Sequence, residues 1–130
     1  MNSLDLDSSD RRKTMNQAKN MAGIAYDALE EKKGIDIKII DISQVSVIAD
    51  YFIIATGNSI NQVDALVESV EEQMHKNGFS LKQREGGGHS PWVLLDYTDI
   101  IVHVFEKESR SFYNLEHIWH DGTEVAREEL

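Results

Sequence analysis

Apolar residues recur at helical spacing in two stretches of the chain, and each stretch begins with a start signal. The first follows Thr14 and Gln17, which have the form of a capping box, and stops near Gly34. The second follows Ser59 and Gln62, which have the same form, and stops at an Asn-Gly pair. This pattern predicts two amphipathic helices, each with one apolar face.

Shorter runs of alternating or continuous apolar residues predict five β-strands. They cover residues 35–42, 51–55, 81–83, 92–95 and 100–105. The run at 51–55 is apolar on both faces, which indicates a central strand, whereas 81–83 is short and flanked by charge, as is typical of an edge strand. Residues Asp96–Asp99 have the length and composition of a hairpin connection. The order of these elements predicts a single α/β domain with a mixed five-stranded sheet flanked by helices.

The two ends of the chain differ from its central part. Residues 1–13 are polar and aperiodic, which predicts a disordered leader. After the fifth strand, helical spacing returns and predicts a short helix from Ser109 to about Gly122. The remaining residues, 122–130, form an acidic tail, of which Glu124 to Leu130 are predicted to fray. The sequence thus places one folded domain at residues 14–121.

Composition and charge exclude several classes of function. The chain has 130 residues, with 13 Lys and Arg against 23 Asp and Glu, a formal net charge of −10, and no cysteine. The lack of cysteine rules out disulfides and thiolate zinc sites and is typical of a reducing compartment. The acidic balance disfavours a direct grip on nucleic acid. Because there is neither a secretory signal nor an apolar run approaching the roughly 20 residues of a membrane helix, we expect a cytoplasmic protein without membrane contact.

Residues that could carry chemistry are few. The turn Gly57–Ser59 lies between a strand and a helix, where a phosphate could bind, but it lacks both the dinucleotide fingerprint and a P-loop lysine. A capped helix start is the simpler interpretation. His117, His120 and Asp121 are close in sequence, yet a metal site without thiolates needs three converging ligands, so surface side chains are the simpler interpretation. We therefore predict no catalytic residue, no metal and no cofactor.

A surplus of apolar residues on the predicted sheet is more informative. Trp92 and Leu94 point to one face of their strand, and the next strand is apolar on both faces apart from His103. The predicted helices are too few to cover both faces of the sheet. An uncovered patch around Trp92, rimmed by Asp96–Asp99, would have the aromatic anchor and charged rim of a protein-binding site. The alternative is that Trp92 belongs to the core beneath a helix.

Three groups of residues, in order along the chain, together resemble one known family. They are DYFIIATGNS at 50–59 with QV at 62–63, WVLLDYTD at 92–99 with VHVF at 102–105, and RSFYNLE at 110–116 with Trp119. Over about residues 15–120, the chain resembles the ribosomal silencing factor family, also called Iojap or YbeB-like. Several linked segments are far more specific than any one of the motifs above.

This resemblance implies a fold related to the nucleotidyltransferases and a protein that binds the large ribosomal subunit. Members of the family dock at the inter-subunit face, on the large-subunit protein numbered fourteen, and sterically block joining of the small subunit. Translation is thereby repressed when nutrients are scarce. A homodimer in the absence of ribosomes is also implied.

The resemblance also assigns residues to the partner-binding site. The tryptophan of the family matches Trp92, and its acidic hairpin matches Asp96–Asp99. The residues expected to contact the partner are Trp92, Leu94, Asp96, Tyr97, Asp99 and His103. The first two would anchor a basic ribosomal protein, and the two aspartates would pair with its lysines or arginines.

The resemblance to nucleotidyltransferases raises the question of catalysis. Those enzymes hold metal and nucleotide with a Gly-Ser turn followed by Asp-x-Asp. Here Gly57–Ser59 keeps the turn, but the next acidic residue, Asp64, lies inside the second predicted helix, without an Asp-x-Asp behind it. Two-metal phosphoryl transfer would lack its carboxylate ligands, so we expect no catalysis. A nucleotide-binding or nucleotidyltransferase-like enzyme is the alternative function.

Overall fold

The computed structural model describes the backbone of residues 3–109 and 120–130, and the side chains of residues 16–109 and 120–130. Its two α-helices are α1 (Ser3–Glu31) and α2 (Ile60–Lys76). Its strands are β1 (Ile35–Asp41), β2 (Tyr51–Gly57), β3 (Gln83–Glu85), β4 (Trp92–Asp96), β5 (Ile100–Glu106) and β6 (Thr123–Val125). A short 3-10 helix at Arg127–Glu129 ends the described chain.

The strands form one mixed sheet in the order β3-β4-β5-β2-β1-β6. The pair β2 and β5 is parallel, and the other neighbours are antiparallel. Every residue of β2 is buried, as the apolar run at 51–55 predicts for a central strand. The predicted α/β fold with a mixed sheet is therefore confirmed, with six strands in the described chain instead of five.

The edge strand β3 lies slightly later than its predicted position. The sequence places it at 81–83, but the ladder with β4 begins where Lys82 donates its backbone N–H to the carbonyl of Asp96 at 2.8 Å. From there Gln83 faces Asp96 and Glu85 faces Leu94. The pairing with β4, and not the local apolar pattern, therefore sets the position of this strand.

The C-terminal tail pairs with the sheet, so the predicted fraying of residues 124–130 is wrong. Within it, β6 pairs antiparallel with β1 at the sheet edge, and Val125 and Leu130 pack against the core. Arg127 donates two hydrogen bonds of 2.9 Å to the carboxylate of Asp27 in α1. Although most of the tail is polar or acidic, its apolar side chains Val125 and Leu130 are partly buried against the core. The tail is therefore part of the domain.

Two other predictions at the ends of the chain have different outcomes. The backbone of α1 begins at Ser3, so the predicted disordered leader at residues 1–13 is helical from its third residue. The predicted helix from Ser109 to Gly122 falls largely on residues 110–119, which lie outside the described residues.

Both helices pack on the same face of the sheet. Between the helices and the sheet lies the main hydrophobic core. The helices contribute to it the buried side chains of Ala18, Met21, Ala22, Ala25, Ala28, Leu29, Val63, Leu66, Val67, Val70 and Met74. The small side chains of α1 allow α2 to approach closely, and the buried hydroxyl of Ser69 donates to the carbonyl of Ala28 at 2.9 Å. The sheet contributes Ile53, Val93, Leu95, Val102 and Val104, among others, to the same core.

The opposite face of the sheet carries a second apolar cluster. Its buried members are Ile40, Ile42, Ala49, Phe52, Ile54, Ile101 and Phe105. Trp92 and Leu94 are partly buried and pack against this cluster. The partly buried indole of Trp92 therefore lies on the face of the sheet opposite α1 and α2.

The docking of β6 can be tested at Gly122. A Cβ atom at this position would lie 2.6 Å from the Cγ2 atom of Ile40 and 3.0 Å from the carbonyl oxygen of Asp41. We expect Gly122→Ala to lower the free energy of unfolding by about 1–3 kcal/mol, because the tail must move off β1 to relieve the overlap. Urea unfolding followed by circular dichroism measures this change.

The matched control is Gly87→Ala, since a Cβ atom at Gly87 meets nothing within 4 Å. This change should alter the free energy of unfolding by no more than about 0.5 kcal/mol. Equal stability of the two variants would contradict the packing of the tail described above.

Candidate functional site

Strands β4 and β5 place three planar rings side by side on the sheet face that α1 and α2 leave uncovered. In their antiparallel register Trp92 faces Phe105 and Leu94 faces His103. The indole is nearly parallel to the Phe105 ring, at 6° with centroids 5.6 Å apart, and to the His103 ring, at 11° and 6.1 Å. His103 and Phe105 are buried, whereas Trp92 and Leu94 remain partly exposed. We call these four residues the indole face.

The imidazole of His103 is the polar centre of the indole face. Its Nδ1 atom accepts a hydrogen bond from Nε1 of Trp92 at 3.3 Å, so the proton of the neutral ring is assigned to Nε2. Phe52 contacts the same ring edge to face at 5.1 Å. Burial lowers the pKa of His103 to about 4. The imidazole is therefore neutral at physiological pH, and the indole N–H is satisfied within the chain.

One polar atom of this cluster is left over. Nε2 of His103 is buried and has no hydrogen-bond partner in the part of the chain that the structure describes. An unpaired buried N–H costs free energy, of the order of 1–3 kcal/mol. The aromatic contacts of the His103 ring with Trp92, Phe52 and Phe105 offset this cost.

The two predicted rim aspartates lie at the far end of β4. Asp96 follows Trp92 and Leu94 on the same face of the strand, and its Oδ1 atom accepts from the backbone N–H of Thr98 at 2.8 Å. Asp99 lies in the turn that follows, where its Oδ2 atom accepts from Nε2 of Gln17 in α1 at 3.1 Å. Both aspartates are partly exposed.

Tyr97 is not part of this surface. It is 4% exposed and packs in the core between the sheet and the helices. Burial, with a smaller contribution from the charge of Glu71, raises the pKa of Tyr97 to about 12. The structure places Tyr97 away from Trp92, because successive side chains of a strand alternate and Tyr97 follows Asp96 onto the opposite face. Of the six predicted residues, Trp92, Leu94, Asp96 and His103 share one face of the sheet. Asp99 lies in the turn beyond them, with its carboxylate bonded to α1 on the other side of the sheet.

Two aromatic residues of this cluster, Phe105 beside the indole and Phe52 beside His103, are not among the predicted site residues. The predicted connection at Asp96–Asp99 would pair Trp92 with residue 103. The actual turn is tighter, because the backbone N–H of Tyr97 donates to the carbonyl of Ile100 at 3.0 Å, and this register places Phe105 opposite Trp92. The place of Phe52 depends on the parallel pairing of β2 with β5, in which Phe52 is beside Ile101. That pairing joins distant segments and has no local signal.

The turn before α2, considered above as a phosphate site, is occupied by the chain itself. The backbone N–H of Asn58 donates to Oε1 of Gln62 at 2.6 Å, and that of Gln62 donates to Oγ of Ser59 at 3.2 Å. The backbone N–H of Val63 donates to the carbonyl of Ser59 at 3.0 Å. The turn is therefore a helix cap in which the N–H groups of Asn58 and Gln62 are already bonded to side chains.

Two features are absent from the described residues. Within residues 16–109 and 120–130, no three His, Asp or Glu side chains are grouped so that they could hold a metal ion. Of the candidate ligands, His117 lies outside the described residues, and His120 is exposed. No helix in the described ranges is both long and apolar enough to span a bilayer.

The chain is similar to proteins of one named family. Residues 15–130 match the family model described as "Ribosomal silencing factor during starvation". The ribosomal silencing factor RsfS of Bacillus subtilis is 44% identical over 108 residues, which cover 83% of this chain and 91% of that protein. The chloroplast protein Iojap of Zea mays is 32% identical over 98 residues, which cover 75% of this chain and 42% of that protein.

Solved structures agree with these sequence matches. A crystal structure of a protein from Chromobacterium violaceum superposes with a TM-score of 0.73 at 36% identity, covering 78% of this chain and 84% of that chain. Another, from Bacillus halodurans, superposes with a TM-score of 0.71 at 34% identity, covering 79% of this chain and 93% of that chain. With the family model and the relatives in agreement, the chain belongs to the family of ribosomal silencing factors.

Proposed function

We propose that this protein binds the large ribosomal subunit at its inter-subunit face and sterically blocks joining of the small subunit. Translation would be repressed in this way when nutrients are scarce. Membership of the ribosomal silencing factor family supports a ribosomal partner. The observation that carries the proposal is the indole face, where a partly exposed Trp92 rests on the buried rings of His103 and Phe105.

The indole face has the properties of an anchor for a protein partner. The Trp92 ring is held by stacking on both neighbours and by its hydrogen bond to His103, so little side-chain entropy remains to be lost on binding. Large aromatic side chains with such support dominate the energy of many interfaces. Asp96 and Asp99 at the end of β4 supply the charged rim.

The charge of the chain indicates the kind of partner on the large subunit. With a net charge of −10, the protein is repelled by the phosphates of ribosomal RNA and attracted by basic ribosomal proteins. We assign the contact to the large-subunit protein numbered fourteen, with its lysines or arginines paired to Asp96 and Asp99. In the absence of ribosomes, a second copy of the chain would cover the indole face as a homodimer. The proposal places the protein in the cytoplasm, with the ribosomes on which it acts.

Replacing the indole tests the anchor. We expect Trp92→Ala to weaken binding to purified large subunits at least tenfold, since truncating a buried interfacial aromatic costs about 2 kcal/mol or more. The same variant should lose the ability to prevent the two subunits from associating. Co-sedimentation gives the first quantity, and light scattering of mixed subunits gives the second.

The control is Leu81→Ala, which truncates a side chain that is 38% exposed beside the edge strand β3, away from the indole face. It should bind large subunits as the wild type does. Because Trp92 also packs on the second apolar cluster, thermal unfolding of both variants must show that they are folded at the assay temperature. Unchanged binding by folded Trp92→Ala would reject the anchor.

The neutral state of His103 predicts how stability depends on pH. Burial lowers the pKa of His103 to about 4, from an ordinary value of 6.5 in the unfolded chain, so the folded state binds this proton less tightly. Its contribution to stability is complete above pH 6.5 and is lost as the pH falls through about 4. The total loss is at most about 3 kcal/mol.

Urea unfolding between pH 7 and pH 4 should show a steeper loss of stability for the wild type than for His103→Gln, which cannot titrate at this position. Other titrating groups are common to both proteins, so the difference isolates His103. Ring resonances of His103 in the wild type should also remain those of neutral imidazole at pH 5. Equal slopes together with a protonated ring at pH 5 would contradict the assignment.

We infer that the chain acts by binding and not by catalysis. Two N–H donors of the turn before α2, those of Asn58 and Gln62, are bonded to the side chains of the cap, which supports this inference. Calorimetric titration with ATP and Mg²⁺ should therefore give no binding heat. Binding with micromolar affinity would instead favour the nucleotidyltransferase-like alternative.

A further inference from the structure

The loop between β1 and β2 exposes more apolar surface than any other part of the described chain. Three of its side chains, Val45, Val47 and Ile48, are 52%, 104% and 66% exposed. The other large apolar side chains that are exposed in the described chain do not exceed 38%. A single exposed apolar side chain needs no explanation, but three neighbouring apolar side chains at the tip of one loop are typical of an interaction site. We call residues 43–49 the apolar loop.

The apolar loop is held in shape by its own hydrogen bonds. The backbone N–H groups of Val45 and Ser46 donate to the carbonyl of Ile42 at 3.0 and 2.9 Å, and that of Ile48 donates to Oγ of Ser46 at 3.1 Å. At its base, Ile42 and Ala49 are buried in the second apolar cluster. The loop thus presents its valine and isoleucine side chains from an organised backbone, which lowers the entropy lost when a partner covers them.

Four aspartates surround this end of the sheet. Asp41 ends β1, Asp50 precedes β2, Asp96 ends β4 and Asp99 precedes β5. The backbone of Asp50 joins that of Asp99 through a hydrogen bond of 2.9 Å. Because β2 and β5 are parallel and their other neighbours are antiparallel, all four aspartates lie at the same end of the sheet.

Among the side chains that the structure describes, none balances the charges of these aspartates. Burial, and then the charges of Asp99 and Asp41, raise the pKa of Asp50, as expected when like charges are close. The hydrogen bonds to the other three carboxylates come from the neutral donors Gln17, Ser43 and Thr98. Across the described residues, no lysine or arginine pairs with any of the four. This end of the sheet therefore combines apolar side chains with uncompensated negative charge.

We propose that the apolar loop and the four aspartates form a docking surface for a basic, partly apolar segment of a large-subunit protein. This inference rests on the proposed function and extends its surface from Trp92, along β4 through Asp96, to the apolar loop. Valine and isoleucine side chains cover apolar residues of the partner, while the aspartates pair with its lysines and arginines.

Charge complementarity selects a protein over the other candidates. RNA and anionic lipid surfaces both carry phosphate, which the four carboxylates repel. A second copy of the chain carries the same four aspartates, and a contact between two such ends would bring like charges together. The homodimer proposed above would therefore contact the indole face at Trp92 and not this end of the sheet. A basic protein segment satisfies both the apolar and the charged parts of the surface.

The experiment compares three variants in binding to purified large subunits. The double change Val47→Ser with Ile48→Ser should weaken binding at least tenfold while leaving the unfolding temperature unchanged, because both side chains contact mainly solvent. Asp50→Asn should weaken binding severalfold and flatten its dependence on salt, yet it should not lower the unfolding temperature, because it relieves repulsion. The matched control Ile60→Ser, 37% exposed at the opposite end of the sheet, should bind as the wild type does.

The outcomes separate this inference from the proposed function. Failure of the wild type to bind large subunits overturns both. If Trp92→Ala weakens binding to large subunits and the loop double variant does not, only the inference about the apolar loop is overturned. The loop should also contribute to binding of RNA-free proteins extracted from large subunits. The assignment to a basic protein is overturned if the loop does not affect binding to those proteins but does affect one of three other interactions. These are binding to protein-free ribosomal RNA, to phosphatidylglycerol vesicles and to a second copy of the chain.

Discussion

The structure depends on the pairing of β2 with β5, two parallel strands that are buried on both faces. Every residue of β2 is buried, and so is every residue of β5 except its last. A strand of this kind loses the hydrophobic free energy of folding unless both faces of its sheet are covered. On one face α1 and α2 provide that cover, and their small and branched side chains fit closely over Ile53 and Val102. The other face carries an apolar cluster of its own.

The candidate site follows from that second cluster. It spreads from the central strands to β4, where Trp92 and Leu94 are only partly covered. A polar imidazole in this place is stable because it stays neutral, accepts the indole N–H and lies between aromatic rings. The surface that results is apolar, preorganised and bordered by carboxylates. These properties suit a protein partner of opposite charge better than a small-molecule substrate.

Negative charge and apolar exposure coincide again where β1, β2, β4 and β5 meet at one end of the sheet. Strand ends are natural places for aspartate, which caps turns with its own carboxylate, as Asp41 and Asp96 do here. The pairing of the strands brings these separate turn residues together at one acidic end of the sheet. Turns can be formed by polar residues alone, so the exposed Val47 and Ile48 of the apolar loop are not needed to form this one.

The sequence alone determined the elements whose signals are local. Helix α2 begins with Ser59 as its N-cap and ends at Asn77 as the capping box and the Asn-Gly pair predict, and period-two alternation put Trp92 and Leu94 on one face. Applied one residue further, the same alternation would have placed Tyr97 in the core.

Only the tertiary structure decided which face the helices cover, which rings support the indole, and that the acidic tail forms β6 opposite Ile39. Hydrophobic periodicity arises from backbone geometry within one element. The choice of strand partners depends on the free energy of contacts between segments far apart in the chain.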